Sequence, residues 1–413
     1  MVLNSRIVDS AGANSSGPFH LQQATITLAL LIAFVLCDRL APGAQTRQSG
    51  TSDFAVLSAE ANAARDGNRL DEAIAFYEKA LALRPGWTEG WWSLGTIQYD
   101  QSAYGEAARA FEKLIELDPK AGTAKVMLGL CEFDLGSDAS ALKHIEDGKN
   151  LGIAKDPQLR QVVLYHEGVL LQRKASFEGA REALEALCRD GVQTDGLTQE
   201  LGMVALRIQG KPSATDATDA KIVTGLGRAS CLAAQGKFDE ARQDYGDLVR
   251  TYPEYPNIHY AYGKFLLQTH DTTAAVEEFK REIGNNPNHV FARLEIAAVR
   301  YRVDSAAGLP YAEEAVKLDP QLPFAHYLFA LLLLDTKSYE RAIPELEIAR
   351  RAFPQEAQVY FALGSAYAHT GRKQEAARAR AIFVRLNQDE TPESSANVYG
   401  QEPLGAAQER LDH

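Results

Sequence analysis

Cysteine is scarce in this 413-residue chain: Cys37, Cys131, Cys188 and Cys231 stand at unrelated spacings, with no CxxC among them. That excludes a zinc-ribbon or disulfide-framework architecture and predicts buried thiols, with one left over if a pair forms in the processed chain. Basic excess is also missing. The net charge is −12 and does not change if residues 1–44 are removed, so nucleic acid is an unfavourable partner. No segment is strand-rich, which leaves no room for an appended catalytic domain. Finally, residues 10–37 contain no Asp, Glu, Lys or Arg. Within them the run from Ala24 to Cys37 is apolar apart from two threonines, too short for a span of about 20 residues and better suited to the core of a secretory signal.

What the chain has instead is rhythm. Pro85 and Pro119 lie 34 residues apart, and Pro253, Pro287, Pro320 and Pro354 follow one another at 34, 33 and 34. Each closes a segment with apolar residues at helical spacing, such as Ala73, Ile74, Tyr77, Ala80 and Leu81 before Pro85. Proline lacks an amide donor and restricts the residue before it, so it stops the second helix of each unit. A unit of this length cannot bury its apolar face alone and must stack on copies of itself, which predicts an all-α solenoid.

With each proline set at position 32, the columns align. Position 8 reads Ala61, Gly95, Ala229, Gly263, Ile296 and Ala330, and position 20 is nearly all alanine. Position 24 carries Tyr77, Phe111, Tyr245, Phe279, Ala312 and Leu346, large side chains for the most part, suited to the space that the small ones leave. Units from Gly122, Gln161 and Ala357 keep most of this frame without the proline, which brings the count to about nine. In the last of them Arg380 stands at position 24, a sign of a helix that meets water.

Trp91, Leu94, Gly95, Tyr99, Ala107, Phe111 and Pro119 follow the W-x2-L-G-x2-Y, A-x3-F, P pattern with Tyr99 displaced by one place, so the chain resembles the tetratricopeptide repeat family over roughly three quarters of its length. The resemblance implies a right-handed superhelical solenoid of antiparallel helix pairs and a non-catalytic scaffold that binds a protein or peptide in its concave groove. Positions 2, 5, 9 and 12 of each first helix would line that groove. Among them Trp92, Tyr99, Phe133, Tyr165, Tyr260, Tyr327 and Phe361 supply aromatic anchors, although such rings also pack between repeats. Lys264, Arg293 and Arg300 would form a basic island for a carboxylate-bearing partner. The family's carboxylate clamp is only partly matched, by Asn62, with Ser58, Ser93, Thr123 and Met127 at its other places. An aromatic groove that binds glycan or another envelope polymer through Trp92, Tyr99 and Tyr260 is the alternative.

The expected organisation is a signal peptide or membrane anchor with linker at 1–50 and four repeats over 54–190. A degenerate helix and polar stretch at 191–221 is read as a hinge or loop between the blocks, followed by five repeats over 222–386 and a flexible tail over 387–413. Processing near Ala44 predicts an exported, periplasmic protein; without it, residues 21–40 would attach the chain to a membrane. Val35 and Leu36 before Cys37 argue against lipid attachment.

No motif calls for a cofactor or metal. His166 and Glu167 begin like a metalloprotease helix, but Leu170 stands where the second imidazole belongs. Gly225, Gly227 and Ser230 fall inside a first helix and not on a phosphate loop. Paired carboxylates such as Glu277 with Glu278, and Glu313 with Glu314, are expected on solvated faces, and His259, His289 and His326 at surfaces or interfaces.

Overall fold

A computed structural model describes residues 45–389 apart from 154 and 211–216. Among the described residues there are nineteen α-helices and no strand. Nine antiparallel pairs succeed one another. The first four are α1 (Gln45–Asp66) with α2 (Leu70–Leu83), α3 (Thr88–Asp100) with α4 (Tyr104–Leu117), α5 (Gly122–Asp134) with α6 (Asp138–Leu151), and α7 (Pro157–Arg173) with α8 (Phe177–Arg189). A single helix, α9 (Asp195–Ala205), follows. Then come α10 (Ala217–Ala234) with α11 (Phe238–Thr251), α12 (Ile258–Gln268) with α13 (Thr272–Asn285), and α14 (Val290–Arg300) with α15 (Ser305–Leu318). The last pairs are α16 (Pro323–Asp335) with α17 (Tyr339–Ala352) and α18 (Ala357–His369) with α19 (Lys373–Asp389). The two helices of each pair pack on one another and successive elements pack on the next, as a solenoid requires.

The six periodic prolines each stand two residues beyond a second helix. The carbonyl of four of them meets a donor from position 4 of the next unit. Trp91 Nε1 donates to Pro85 O at 2.8 Å, and Tyr360 Oη donates to Pro354 O at 3.0 Å. His259 Nε2 lies 2.8 Å from Pro253 O and His326 Nε2 3.1 Å from Pro320 O. A carbonyl accepts only, so Nε2 of both imidazoles donates to the proline, while Nδ1 faces the carboxylate of Glu278 or Glu345.

Within every pair but α14 with α15 the turn is a Schellman closure. Ser102 N donates to Tyr99 O and Ala103 N to Gln98 O, both at 2.8 Å. The left-handed residue recurs at position 15, as Asn68, Ser102, Gly136, Ala175, Gly236, His270, Lys337 and Gly371, and one place early at Arg302.

The small and large columns meet as the spacing predicts. A Cβ added at Gly95 would lie 2.9 Å from the Phe111 ring, at Gly263 2.5 Å from Phe279, and at Gly168 2.5 Å from Leu184. Phe111 and Phe279 are fully buried. Arg380 is exposed, as its charge requires.

In the interval 191–221, helix α9 crosses α10 so closely that a Cβ at Gly202 would sit 1.9 Å from Val223 O and one at Gly227 1.7 Å from Thr198 O. Three expectations are corrected. Cys188 and Cys231 are not free thiols but a disulfide joining α8 to α10; Cys131 alone is free among the described residues, and burial first, then Asp134, raises its thiol to about 12. Glu278 is not solvated: it is buried, with Oε2 2.6 Å from His259 Nδ1, while its neighbour Glu277 points outward, as residues about 100° apart must. His259, His289 and His326 are buried, not on the surface. Helix α1 begins nine residues before Phe54, and α19 carries helix to Asp389, into the expected tail. The signal or anchor segment and the rest of the tail lie outside the described residues. No described helix is long and apolar enough to cross a membrane.

Candidate functional site

The aromatic residues assigned to the groove serve packing more than they offer open surface. Phe133, Tyr260 and Tyr327 are buried. Phe133 lies under the Arg173 guanidinium at 4.7 Å and edge-on to His166 at 4.6 Å. Trp92 is half-buried, edge-on to Phe111 at 5.7 Å, and Tyr99 packs edge-on to Tyr104 at 5.4 Å. Tyr165 is half-buried against His166. Burial raises the hydroxyls of Tyr99, Tyr165, Tyr260 and Tyr327 above the ordinary phenol range. Only Phe361, 56% exposed beside Phe383, stands clear of the core among these rings.

The basic island is not free. Lys264 Nζ lies 2.7 Å from Glu295 Oε1 and 3.9 Å from Glu178 Oε1. Burial opposes its charge, but Glu178 and Glu295 outweigh that and hold the ammonium above its usual range. Arg293 is buried, with Nη1 donating to the His289 carbonyl at 3.1 Å. Arg300 is half-buried at the end of α14, its Cβ closing on Gly308. Three cations at groove positions in an acidic chain read as a patch; two of them are spent on internal partners.

Sequence reasoning missed what brings these side chains together. The segment that follows α9, Leu206 to Gln209, lies against groove positions of other repeats. Asn257, at position 2 of its unit, donates from Nδ2 to Leu206 O at 2.7 Å. Gln172, at position 12, donates from Nε2 to Ile208 O, and Gln209 Nε2 donates to Arg173 O at 2.9 Å. The Arg207 guanidinium stands 3.7 Å from the Phe291 ring centroid, 4.8 Å from Phe177 and 5.7 Å from Tyr260, with Nη1 3.6 Å from Glu178 Oε1. Burial works against the Glu178 charge, yet Lys264, Arg181 and Arg207 hold its carboxyl down at about 2.

The Asn257 amide is aimed by its neighbours. Ala292 N–H donates to His289 Nδ1 at 2.9 Å, which leaves the proton on Nε2 to be donated to Asn257 Oδ1 at 2.7 Å. Burial, with Arg207 in second place, holds His289 down at about 4, in agreement with a neutral ring. The only hint in the sequence was an asparagine at position 2.

Nearby, three buried polar atoms have no partner: Gln172 Oε1, Arg173 Nε and Glu200 Oε2. Burial raises Glu200 to about 7, and Arg173 offsets this only in part. No cluster of His, Cys, Asp or Glu suited to a metal occurs among the described residues.

Comparisons with known proteins bear on the fold and the family. Two tetratricopeptide repeat models match, one at residues 93–149, 226–290 and 327–382, the other at 56–86. Anaphase-promoting complex subunit 3 of Schizosaccharomyces pombe is 25% identical over 142 residues, covering 34% of this chain; the chain spans only 21% of that relative's length. Among solved structures, MamA from Desulfovibrio magneticus RS-1 is 22% identical with a TM-score of 0.37, over 40% of this chain and 94% of that one. The TPR2AB domain of yeast Sti1, solved as a complex with pHSP90, is 15% identical with a TM-score of 0.29, over 68% and 99%. The periodic prolines, the paired small and large columns and the two family-model matches place the chain in the tetratricopeptide repeat family.

Proposed function

We propose that the chain is a non-catalytic scaffold that binds an extended peptide or protein segment in the groove formed by its first helices. One observation carries the reading: Asn257 and Gln172, at groove positions of different repeats, offer side-chain amides to main-chain carbonyls of a non-helical segment. That is how a groove holds a peptide without depending on its every side chain. The glycan alternative loses Tyr260, whose ring is only 2% exposed and cannot stack on a sugar.

The scaffold works outside the cytoplasm in this reading, exported by the apolar segment near residues 24–37. A disulfide between Cys188 and Cys231 supports it, because such bonds persist in oxidising compartments. Fractionation of cells that express the tagged chain, with tryptic mapping of the cysteine pair, tests the location.

A photo-reactive phenylalanine at Tyr165, in the groove, is compared with one at Glu182, exposed on an outward helix. The groove position is expected to give a defined adduct whose partner fragment maps to one extended segment. Equal labelling from both positions would remove the groove as the binding surface.

A further inference from the structure

We propose that Leu206 to Gln209 act as a built-in pseudoligand, and that the partner of this groove is a peptide segment carrying an arginine between aliphatic residues, which competes for the same place. The inference rests on the peptide-binding reading and names the partner's chemistry.

The segment occupies the site as a foreign peptide would. Two of its carbonyls are held by amides from repeats on either side of the break, Asn257 and Gln172. Its one charged side chain enters a cradle with rings of Phe291, Phe177 and Tyr260 around it and the Glu178 carboxylate at its end. Rings and a carboxylate together suit a planar, weakly hydrated guanidinium better than an ammonium. The Arg207 side chain is 13% exposed, so the cradle is nearly filled.

Arg207 is also the wrong residue for its own backbone. It closes α9 with φ +54°, where Arg207 N donates to Val204 O and Ile208 N to Met203 O. Glycine is the usual occupant of such a closure, and other side chains carry a steric cost there. Ser102, His270, Arg302 and Lys337 bear the same backbone cost elsewhere in the chain, so it is the cradle of rings and carboxylate that sets Arg207 apart.

A tethered competitor acts at about millimolar effective concentration, so the intact chain should bind a free copy of the segment at least roughly tenfold more weakly than a chain whose own copy is disabled. The experiment uses the full chain carrying Arg207→Gly, Ile208→Ser and Gln209→Gly together. Glycine at 207 suits the left-handed backbone, and Leu206, buried in the core, is kept. The probe is a labelled synthetic peptide with the sequence of residues 204–210, Val-Ala-Leu-Arg-Ile-Gln-Gly, followed by fluorescence anisotropy.

The variant is expected to bind this peptide at least roughly tenfold more tightly than the unaltered chain, and to ignore a peptide with Glu in place of Arg. A folded variant that binds no more tightly than the unaltered chain, or takes both peptides alike, overturns the pseudoligand. If the triple variant does not fold, Arg207→Gly alone is carried through the same titration with the same two outcomes. Photo-crosslinking at Tyr165 separates the two ideas. A groove adduct that persists when the peptide fails overturns the pseudoligand alone, whereas loss of both removes the groove reading as well.

Discussion

Cys188 on α8 and Cys231 on α10 are joined, with Cα atoms 5.4 Å apart, across the interval in which the repeat rhythm fails. The bond closes a loop of 43 residues that contains all of α9. In the chain-entropy account a loop of that length contributes about 4 kcal/mol by restricting the unfolded chain. Cys231→Ser is therefore expected to lower the urea midpoint by the equivalent of about 2 to 4 kcal/mol, and Cys188→Ser with it to add little more. An unchanged midpoint in the single variant would mean that the close α9–α10 crossing holds the joint unaided.

Glycines in this solenoid divide into two kinds, and substitution should separate them. Gly95→Val pushes a branched side chain into the Phe111 ring, already 2.9 Å from a modest Cβ, and should cost about 1 to 3 kcal/mol. Gly246 lies within α11 with nothing within 4 Å of an added Cβ, so Gly246→Ala should stabilise by about 0.5 to 1 kcal/mol. Thermal melts followed by circular dichroism check both. The same sign for the two would mean that the paired columns do not set the packing.

Those columns were legible because they are local and repeated. Gly95 and Phe111 are sixteen places apart in one unit, and so are Gly263 and Phe279, so the frame survives the loss of the proline in the units from Gly122 and Gln161. The joint was not legible. Its contacts run over 36 residues from Gln172 to Ile208 and over 51 from Leu206 to Asn257, and each occurs once. An unpaired helix inserted between pairs breaks the register that would have related Cys188 to Cys231. Arg207 looks like an ordinary loop cation until the three rings are brought around it. Glu278 was misjudged for a related reason: its partner His259 sits at position 4, where the unit from Thr88 has a tryptophan and the last unit a tyrosine, and the frame alone does not say that an imidazole there needs a carboxylate.

Glu200 gives the joint a pH dependence near neutrality. Burial raises its carboxyl from 4.5 to about 7, so between those values the folded chain keeps a proton that the unfolded chain has released. The Glu200 contribution to stability should therefore fall as pH rises through that window and stay level above it, against the opposite slope of the buried histidines. Glu200→Gln removes this contribution and should gain about 1 to 3 kcal/mol at pH 8, where the native carboxylate is charged and its Oε2 has no partner. Chemical denaturation at pH 5 and pH 8 decides it. A variant that loses stability at both would place Glu200 in an ion pair with Arg173 instead.

His289 works in the opposite direction. Its imidazole is held at about 4 against an ordinary 6.5, because burial and the nearby Arg207 both disfavour a second proton. Between pH 6.5 and 4 the unfolded chain binds a proton that the folded chain refuses, so stability is lost as pH falls through this window. Protonation at Nδ1 would also evict the Ala292 amide that caps α14. His289→Asn keeps a capping oxygen but does not titrate, and gives up the contact to Asn257 Oδ1. At pH 7.5 it is expected to cost about 1 kcal/mol, and between pH 6.5 and 4 to lose less than the unaltered chain. Part of the slope should remain, because His166 is also buried and held at about 4. Adding His166→Phe should remove the second imidazole's share and leave the opposite slope of Glu200 in view. Urea midpoints at pH 4.5 and 7.5 for the single and double variants measure both steps, and a slope that does not change in either would mean that these rings reach water and that the Asn257 amide is not fixed by a neutral His289.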